Sequence, residues 1–325
     1  MMLTPTTSSA PDLLFRVPDW RTLVVGLRRP DFEALSDFSL ITCTPRSFIL
    51  SCRHPEHSKP VVLKFAEASA DALNDSKCLP ARLAAARSLR HPNLVEVYAE
   101  GTATTDQGNF HYSLMEHLDG GTIHHLAHET PDHLTVGGLI EMLRGVASAI
   151  DALHSCGVLH RDIKPGNILV DRRTGVAKLG DLGIARPFAD LDDAGPEEAQ
   201  GTPAFMAPEQ ITSNRYGPAV DVYALAITTY FLLTRHYPFD FSTPLQALYA
   251  HINDTPIPIV RRNRNWPIGL SKVLQRSLAK EPQERHESAS RLVRDVAIEL
   301  AAYTPYRLST YLDGRFSSVE IPLPR

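Results

Sequence analysis

The chain has 325 residues, of which 43% are hydrophobic and 22% charged, with a formal net charge of −4. This length suits one large domain of two lobes, or two domains, and the composition is that of a soluble globular protein. The mildly acidic balance argues against a nucleic acid or a bilayer surface as partner.

Residues 1–37 read as an N-terminal extension whose start is rich in Thr, Ser and Pro. No basic region leads there into a long apolar run, so no signal peptide is expected. The four cysteines, Cys43, Cys52, Cys78 and Cys156, form no C-x-x-C pair, which argues against structural zinc and fits reduced thiols in a cytoplasmic protein. Strand-like segments run from Phe38 to Ile41, from Ser47 to Cys52 and from Pro60 to Phe65, the last around the apolar Val61, Val62 and Leu63. A helix is expected from Leu79 to Leu89, with Pro80 tolerated in its first turn. Leu94 to Tyr98 and Tyr112 to Met115 again read as strands.

His124, His125 and His128 cluster on a helical segment, and positions 124 and 128 have the i, i+4 spacing of a metal pair. No Cys or carboxylate motif accompanies them, so a solvated helix face is expected. From Leu139 onward helical spacing dominates, beginning with LIEMLRGVASAIDALHSCG. Val220 to Leu233 is the most apolar long stretch. It is too short to span a membrane and contains Asp221, so a buried core helix is expected and no membrane segment. A β-rich front followed by an α-rich back gives an α+β layout, a small lobe on a larger one.

The chemistry concentrates in His160-Arg161-Asp162-Ile163-Lys164-Pro165-Gly166-Asn167, followed by Asp181-Leu182-Gly183. Phosphoryl transfer needs an oriented hydroxyl nucleophile and a metal held on the phosphates. Asp162 can accept the hydroxyl proton, and Lys164 can neutralise the γ-phosphate as charge builds. Asn167 offers a neutral oxygen to Mg²⁺, and Asp181, a carboxylate followed closely by glycine in a tight loop, suits a second ligand. This H-R-D-x-K-x-x-N string with its D-x-G resembles the catalytic and metal loops of protein kinases, and Lys two residues after the Asp is their Ser/Thr form, here of the bacterial type.

The resemblance spans roughly residues 38 to 303 and implies a two-lobed protein-kinase-like fold. A small antiparallel β lobe with one helix would occupy 38–115, a large, mostly helical lobe 116–303, and a C-terminal tail 304–325. ATP would lie in the cleft near Met115 to Leu118. Backbone groups of Glu116 and Leu118 would bond the adenine beside the gatekeeper Met115. Val62 and Leu169 would sandwich the ring, Ile49 would stand at the valine position of the phosphate loop, and Lys64 would reach the α- and β-phosphates. Gly201 to Glu209 looks like the end of the activation segment, with Thr202 lining the substrate site. Asp221 matches the buried carboxylate that holds the catalytic loop, and Arg285 the partner of Glu209.

Three departures accompany it. The phosphate loop falls on Thr42 to Ile49 without any of its three glycines, and Pro45 removes an N–H. Either Thr44, Arg46 and Ser47 supply side-chain donors there, or the lid grips nucleotide weakly. The usual helix glutamate falls on Arg82, which would repel Lys64; Asp75 and Glu67 are substitute carboxylates if the helix is re-registered. Ile184 to Gln200 contains no Ser, Thr or Tyr but does contain Asp190, Asp192, Asp193, Glu197 and Glu198. These either pair with Arg161 as a phosphate would, or form a solvated acidic run. The expected activity is MgATP-dependent phosphorylation of Ser or Thr in a partner protein, set by concentration or by a regulatory partner acting on the small lobe. The alternative is a pseudokinase, a nucleotide-binding or scaffold module. A small-molecule phosphotransferase is disfavoured by the A-P-E end of the activation segment.

Overall fold

The computed structural model describes residues 34–44, 47–67, 89–105, 108–129, 135–188, 201–213 and 216–302. They fall into two compact units, one containing 34–67 and 97–117, the other 89–96 and 118–302. Several expectations lie outside the described residues: the helix beginning at Leu79 with Asp75 and Arg82, Pro45 and Arg46 of the phosphate loop, the five acidic residues from Asp190 to Glu198, and both terminal segments short of 34 and beyond 302.

The first unit is a five-stranded antiparallel sheet. Its strands are β1 (Ser36–Thr44), β2 (Ser47–Arg53), β3 (Val61–Glu67), β4 (Val97–Thr105) and β5 (Gly108–Glu116), in the order β1-β2-β3-β5-β4. Alternation decides its two faces, because successive side chains of a strand point to opposite sides. Phe48, Leu50 and Cys52 lie opposite Phe65, Leu63 and Val61, and these residues bury together with Phe110, Tyr112 and Leu114. The Phe48 and Phe65 rings stack at 4.8 Å. Each large apolar side chain so withdrawn contributes about 1.5–3 kcal/mol. The other face carries Ile49 opposite Lys64, and Val62 opposite Met115. At the β1–β2 turn the Ser47 amide donates to Thr44 Oγ1 at 3.0 Å and the two hydroxyls meet at 2.8 Å, so these side chains close the hairpin.

Two expectations need correction here. The run Leu94 to Tyr98 is not a strand of this sheet throughout. Leu94 lies parallel to Leu179, the Val95 amide donates to Leu179 O at 2.9 Å, and Leu94 buries in the core of the second unit. Its apolar residues serve a different core, and β4 starts only at Val97, continuing through small and polar residues that apolar counting overlooks. Glu67 ends β3 opposite Phe110, so it belongs to the sheet and not to a re-registered helix.

The second unit is mostly helical: α1 (Ile123–Glu129), α2 (Val136–Ser155), α3 (Pro208–Thr212), α4 (Ala219–Thr234), α5 (Pro244–Asn253), α6 (Ile259–Arg262), α7 (Ile268–Ser277) and α8 (Ala289–Ala302). Thr135 caps α2 by accepting the Gly138 amide at 3.0 Å. The α2 stripe Leu139, Leu143, Val146, Ile150 and Leu153 is fully buried, as helical spacing requires of a core-facing side. Helix α4 is buried on every side, which fits its near-continuous apolar sequence. Two small two-stranded antiparallel sheets complete the unit: β6 (Val158–Leu159) pairs with β9 (Arg186–Pro187), and β7 (Ile168–Val170) with β8 (Ala177–Leu179). Among the described residues no helix is long and apolar enough to cross a membrane. The exposed His124 ring stacks on Phe231 with centroids 5.8 Å apart, and no group of three His, Cys, Asp or Glu converges among the described residues.

Candidate active site

The first turn of α4 carries Asp221 into the core with no exposed surface. A carboxylate there must be hydrogen-bonded. Its Oδ2 accepts from the His160 amide at 2.9 Å and from His154 Nε2 at 2.8 Å, and its Oδ1 accepts from the Arg161 amide at 2.9 Å. Burial by itself raises the carboxyl pKa, but the hydrogen bonds from the His154 side chain and the His160 amide outweigh it and hold Asp221 below the usual carboxylate range. The loop between β6 and β7 is thereby tied to the helical core at two consecutive amides. His160 braces it from the other side, with Nε2 donating to Gly180 O at 3.0 Å and Nδ1 accepting the Asp162 amide at 3.3 Å.

Arg161 takes a left-handed φ of 69°, which turns the chain so that Asp162 follows in a half-buried position. The Asp162 carboxylate is the centre of a closed network. Its Oδ1 accepts from Thr202 Oγ1 at 2.7 Å, and its Oδ2 accepts from Lys164 Nζ at 2.6 Å and from Asn167 Nδ2 at 2.8 Å. Lys164 Nζ also donates to Thr202 Oγ1 at 2.7 Å, and Asn167 Nδ2 to Asp162 O at 2.8 Å. Asn167 ends a single 3-10 turn, Pro165–Asn167, whose proline is suited to a first helical position.

The β7–β8 hairpin brings the next segment alongside, and the Gly180 amide donates to Asn167 O at 2.8 Å. Asp181 follows with a left-handed φ of 63°. A side chain at position 183 would start 3.1 Å from Asp181 Oδ1, so Gly183 keeps the carboxylate uncrowded. These donors fit Mg²⁺. Asn167 turns its amide nitrogen to Asp162 and retains an amide oxygen, while Asp181 adds a hard carboxylate oxygen. Two protein oxygens are the donor set of a cation whose remaining ligands are waters and phosphate oxygens.

Further support comes from below. Arg285 has a fully buried side chain and forks onto Glu209 with Nη1–Oε1 and Nη2–Oε2 distances of 2.6 and 2.8 Å. It also donates to the carbonyls of Ala219, Ala279 and Lys280, and its guanidinium lies 4.7 Å from the Tyr223 ring centroid. This pair fixes α3, which follows the Thr202 segment, to the start of α4.

The second unit therefore brings together Asp162, Lys164, Asn167 and, by way of Gly180, Asp181. Leu169 stands on β7 with its Cδ1 2.7 Å from where a side chain on Gly180 would begin, and Leu118 is buried in the segment before α1. In the first unit Ile49, Val62, Lys64 and Met115 share one face, and Glu116 closes β5 opposite Val61. Sequence reading overlooked His154, a second brace on Asp221, and Tyr216, whose hydroxyl accepts from Arg161 Nη1 at 3.0 Å. Both are isolated polar residues whose partners lie 55 residues or more away in the chain, so no local spacing marks them.

Residues 46–296 match the family model described as the protein kinase domain. The serine/threonine-protein kinase PknB of Mycobacterium leprae is 34% identical over 212 residues, covering 65% of this chain and 34% of that protein. The PknB of Mycobacterium tuberculosis (strain H37Rv) is likewise 34% identical over 213 residues, with 65% of this chain and 34% of that protein covered. The chain thus spans about a third of the length of these curated relatives. Among solved structures, the Mycobacterium tuberculosis PknI kinase domain superposes with a TM-score of 0.59 at 22% identity, covering 82% of this chain and 97% of that one. A single-substitution variant of it reaches 0.62 at 23% identity, covering 82% and 96%. With most of its length inside the matched domain, the chain belongs to the protein kinase family.

Proposed function

We propose that this chain is a Ser/Thr protein kinase that transfers the γ-phosphate of ATP to a Ser or Thr hydroxyl of a partner protein. The observation that carries the reading is the closed network of Asp162, Lys164, Thr202 and Asn167, because it orients one carboxylate and one ammonium toward a shared point. Asp162 accepts the proton of the attacking hydroxyl at its carboxylate, which Thr202 holds at Oδ1 and Asn167 at Oδ2. Lys164, 2.6 Å from that carboxylate, stabilises negative charge on the transferred group. Asn167 and Asp181 would hold Mg²⁺, which supplies charge neutralisation on the phosphate oxygens when bound. On the small unit Lys64 is proposed to meet the α- and β-phosphates. Ile49, Val62, Met115, Leu118 and Leu169, with backbone groups of Glu116 and Leu118, are proposed to receive the adenine end. The shared face of Ile49, Val62, Lys64 and Met115 supports this assignment.

The test is to incubate the purified chain with γ-labelled ATP, Mg²⁺ and a generic basic protein. Label should appear on Ser or Thr of the acceptor and fall at least about 100-fold in Asp162→Asn, the loss that follows removal of a general base. Nucleotide binding without transfer in the unaltered protein would instead identify a pseudokinase.

A further inference from the structure

Arg161 is a cation with 6% of its surface exposed, in a backbone conformation that non-glycine residues seldom adopt. Its amide is fixed by Asp221, and its guanidinium Nη1 donates to Tyr216 OH at 3.0 Å. The Tyr216 ring packs against the core of the large unit, three residues before α4 starts at Ala219, so the position of its hydroxyl is set by that core. A Cβ on Gly201 would lie 3.2 Å from Arg161 O, and Gly201 has a φ of 131° that only glycine adopts easily. Thr202, the next residue, donates to Asp162. Arg161 is therefore the junction between the core, the Gly201–Thr202 segment and the catalytic carboxylate.

We propose that Tyr216 is a positioning residue of the kinase reaction, its hydroxyl holding the Arg161 side chain and thereby the orientation of Asp162. The proposal rests on the kinase reading above for its effect on turnover, but not for its effect on the loop. The anchor is a neutral hydroxyl built into the fold, so it requires no covalent modification. The sequence between Ile184 and Gln200 offers no Ser, Thr or Tyr that a phosphate could occupy.

Tyr216→Phe keeps the ring and removes only the hydroxyl. Hydrogen exchange of the peptide covering 158–169 and the split between kcat and the KM for ATP are measured in this variant, in Arg161→Lys and in the combination. Tyr216→Phe should speed exchange of the loop amides about tenfold and lower kcat about tenfold with KM for ATP unchanged, the scale set by a lost hydrogen bond to a charged group. Arg161→Lys should act in the same direction, and the double variant should be no worse than the poorer single one. Unchanged loop exchange in Tyr216→Phe overturns the proposal whatever the turnover. In an active parent, faster exchange with unchanged kcat, or a loss confined to KM, also overturns it. A parent that transfers no phosphate refutes the kinase reading, while loop exchange still decides the role of Tyr216. Should Tyr216→Phe fail to fold, unchanged loop exchange in Arg161→Lys overturns it instead.

Discussion

The carboxylate of Asp221 lies wholly out of water and accepts from His154 and from the amides of His160 and Arg161. Its folded pKa is held below the unfolded one, so its contribution is present above the unfolded value and lost as pH falls through the folded value. Asp221→Asn keeps the shape but leaves one oxygen for three donors. A loss of about 2–3 kcal/mol is expected in urea unfolding, with a fall in turnover because the loop is freed. His251 behaves in the opposite chemical sense. It is completely buried against Tyr223, whose hydroxyl lies 2.9 Å from its Nδ1, and burial, aided by the Lys280 charge, pushes its pKa down to about 4. Between about 4 and about 6.5 the unfolded chain binds a proton there that the folded chain does not, so stability rises with pH across that window. A tenfold change in proton affinity is worth about 1.4 kcal/mol, so the full window amounts to about 3 kcal/mol. Urea unfolding at pH 4.5 and 7 should show a smaller difference in His251→Gln than in the unaltered protein.

At the scale of elements, α5 illustrates how both ends of a helix are satisfied by residues of different kinds. Thr243 Oγ1 accepts the Gln246 amide at 3.2 Å, and Gln246 Oε1 accepts the amides of Thr243 and Ser242, a reciprocal cap. At the other end Lys280 donates to the carbonyls of His251 and Ala250 at 2.6 and 3.3 Å, where a cation also complements the helix dipole. Thr243→Ala should cost about 1 kcal/mol in thermal or urea unfolding. The clamp of Arg285 on Glu209 joins α3 to α4 and has a much larger stake, because truncating one partner leaves a buried charge unmatched. Arg285→Ala should cost about 3–5 kcal/mol, a loss visible as a large drop in unfolding midpoint.

At the scale of the whole molecule, a ligand that binds only the folded chain stabilises it by mass action. With MgATP at about 100 times its Kd, the gain should be about 2.7 kcal/mol, read as a higher unfolding temperature. Asp181→Asn removes a carboxylate from the proposed cation site and should abolish most of the Mg²⁺-dependent part of that gain while leaving the ligand-free midpoint close to that of the parent. No shift with MgATP in the unaltered protein would refute the nucleotide assignment.

The string from His160 to Asn167, the Asp181-x-Gly pair and the Gly201 to Glu209 segment were legible as one family because each function needs fixed residue types at fixed short spacings. Short strand-like segments likewise gave most of the sheet, and the apolar density of Val220 to Leu233 gave the core helix α4. Segment boundaries were less legible where an apolar run changes its core. Leu94 and Val95 look like the start of a strand, yet they bury beside Leu179, and the strand begins only at Val97. Long-range anchoring was legible only where the family resemblance supplied it, at Asp221 on the His160 and Arg161 amides and at Arg285 on Glu209; the other anchors were not. That His154 braces Asp221, that Tyr216 receives Arg161 and that Thr202 closes onto Asp162 and Lys164 depend on residues 38 to 67 positions apart meeting in space. The sequence by itself determined which chemical groups are present and in what local order. Beyond the pairings that the resemblance supplied at Asp221 and Arg285, only the tertiary structure decided which buried polar groups satisfy one another, because a hydrogen bond depends on distance and direction in space and not on separation along the chain.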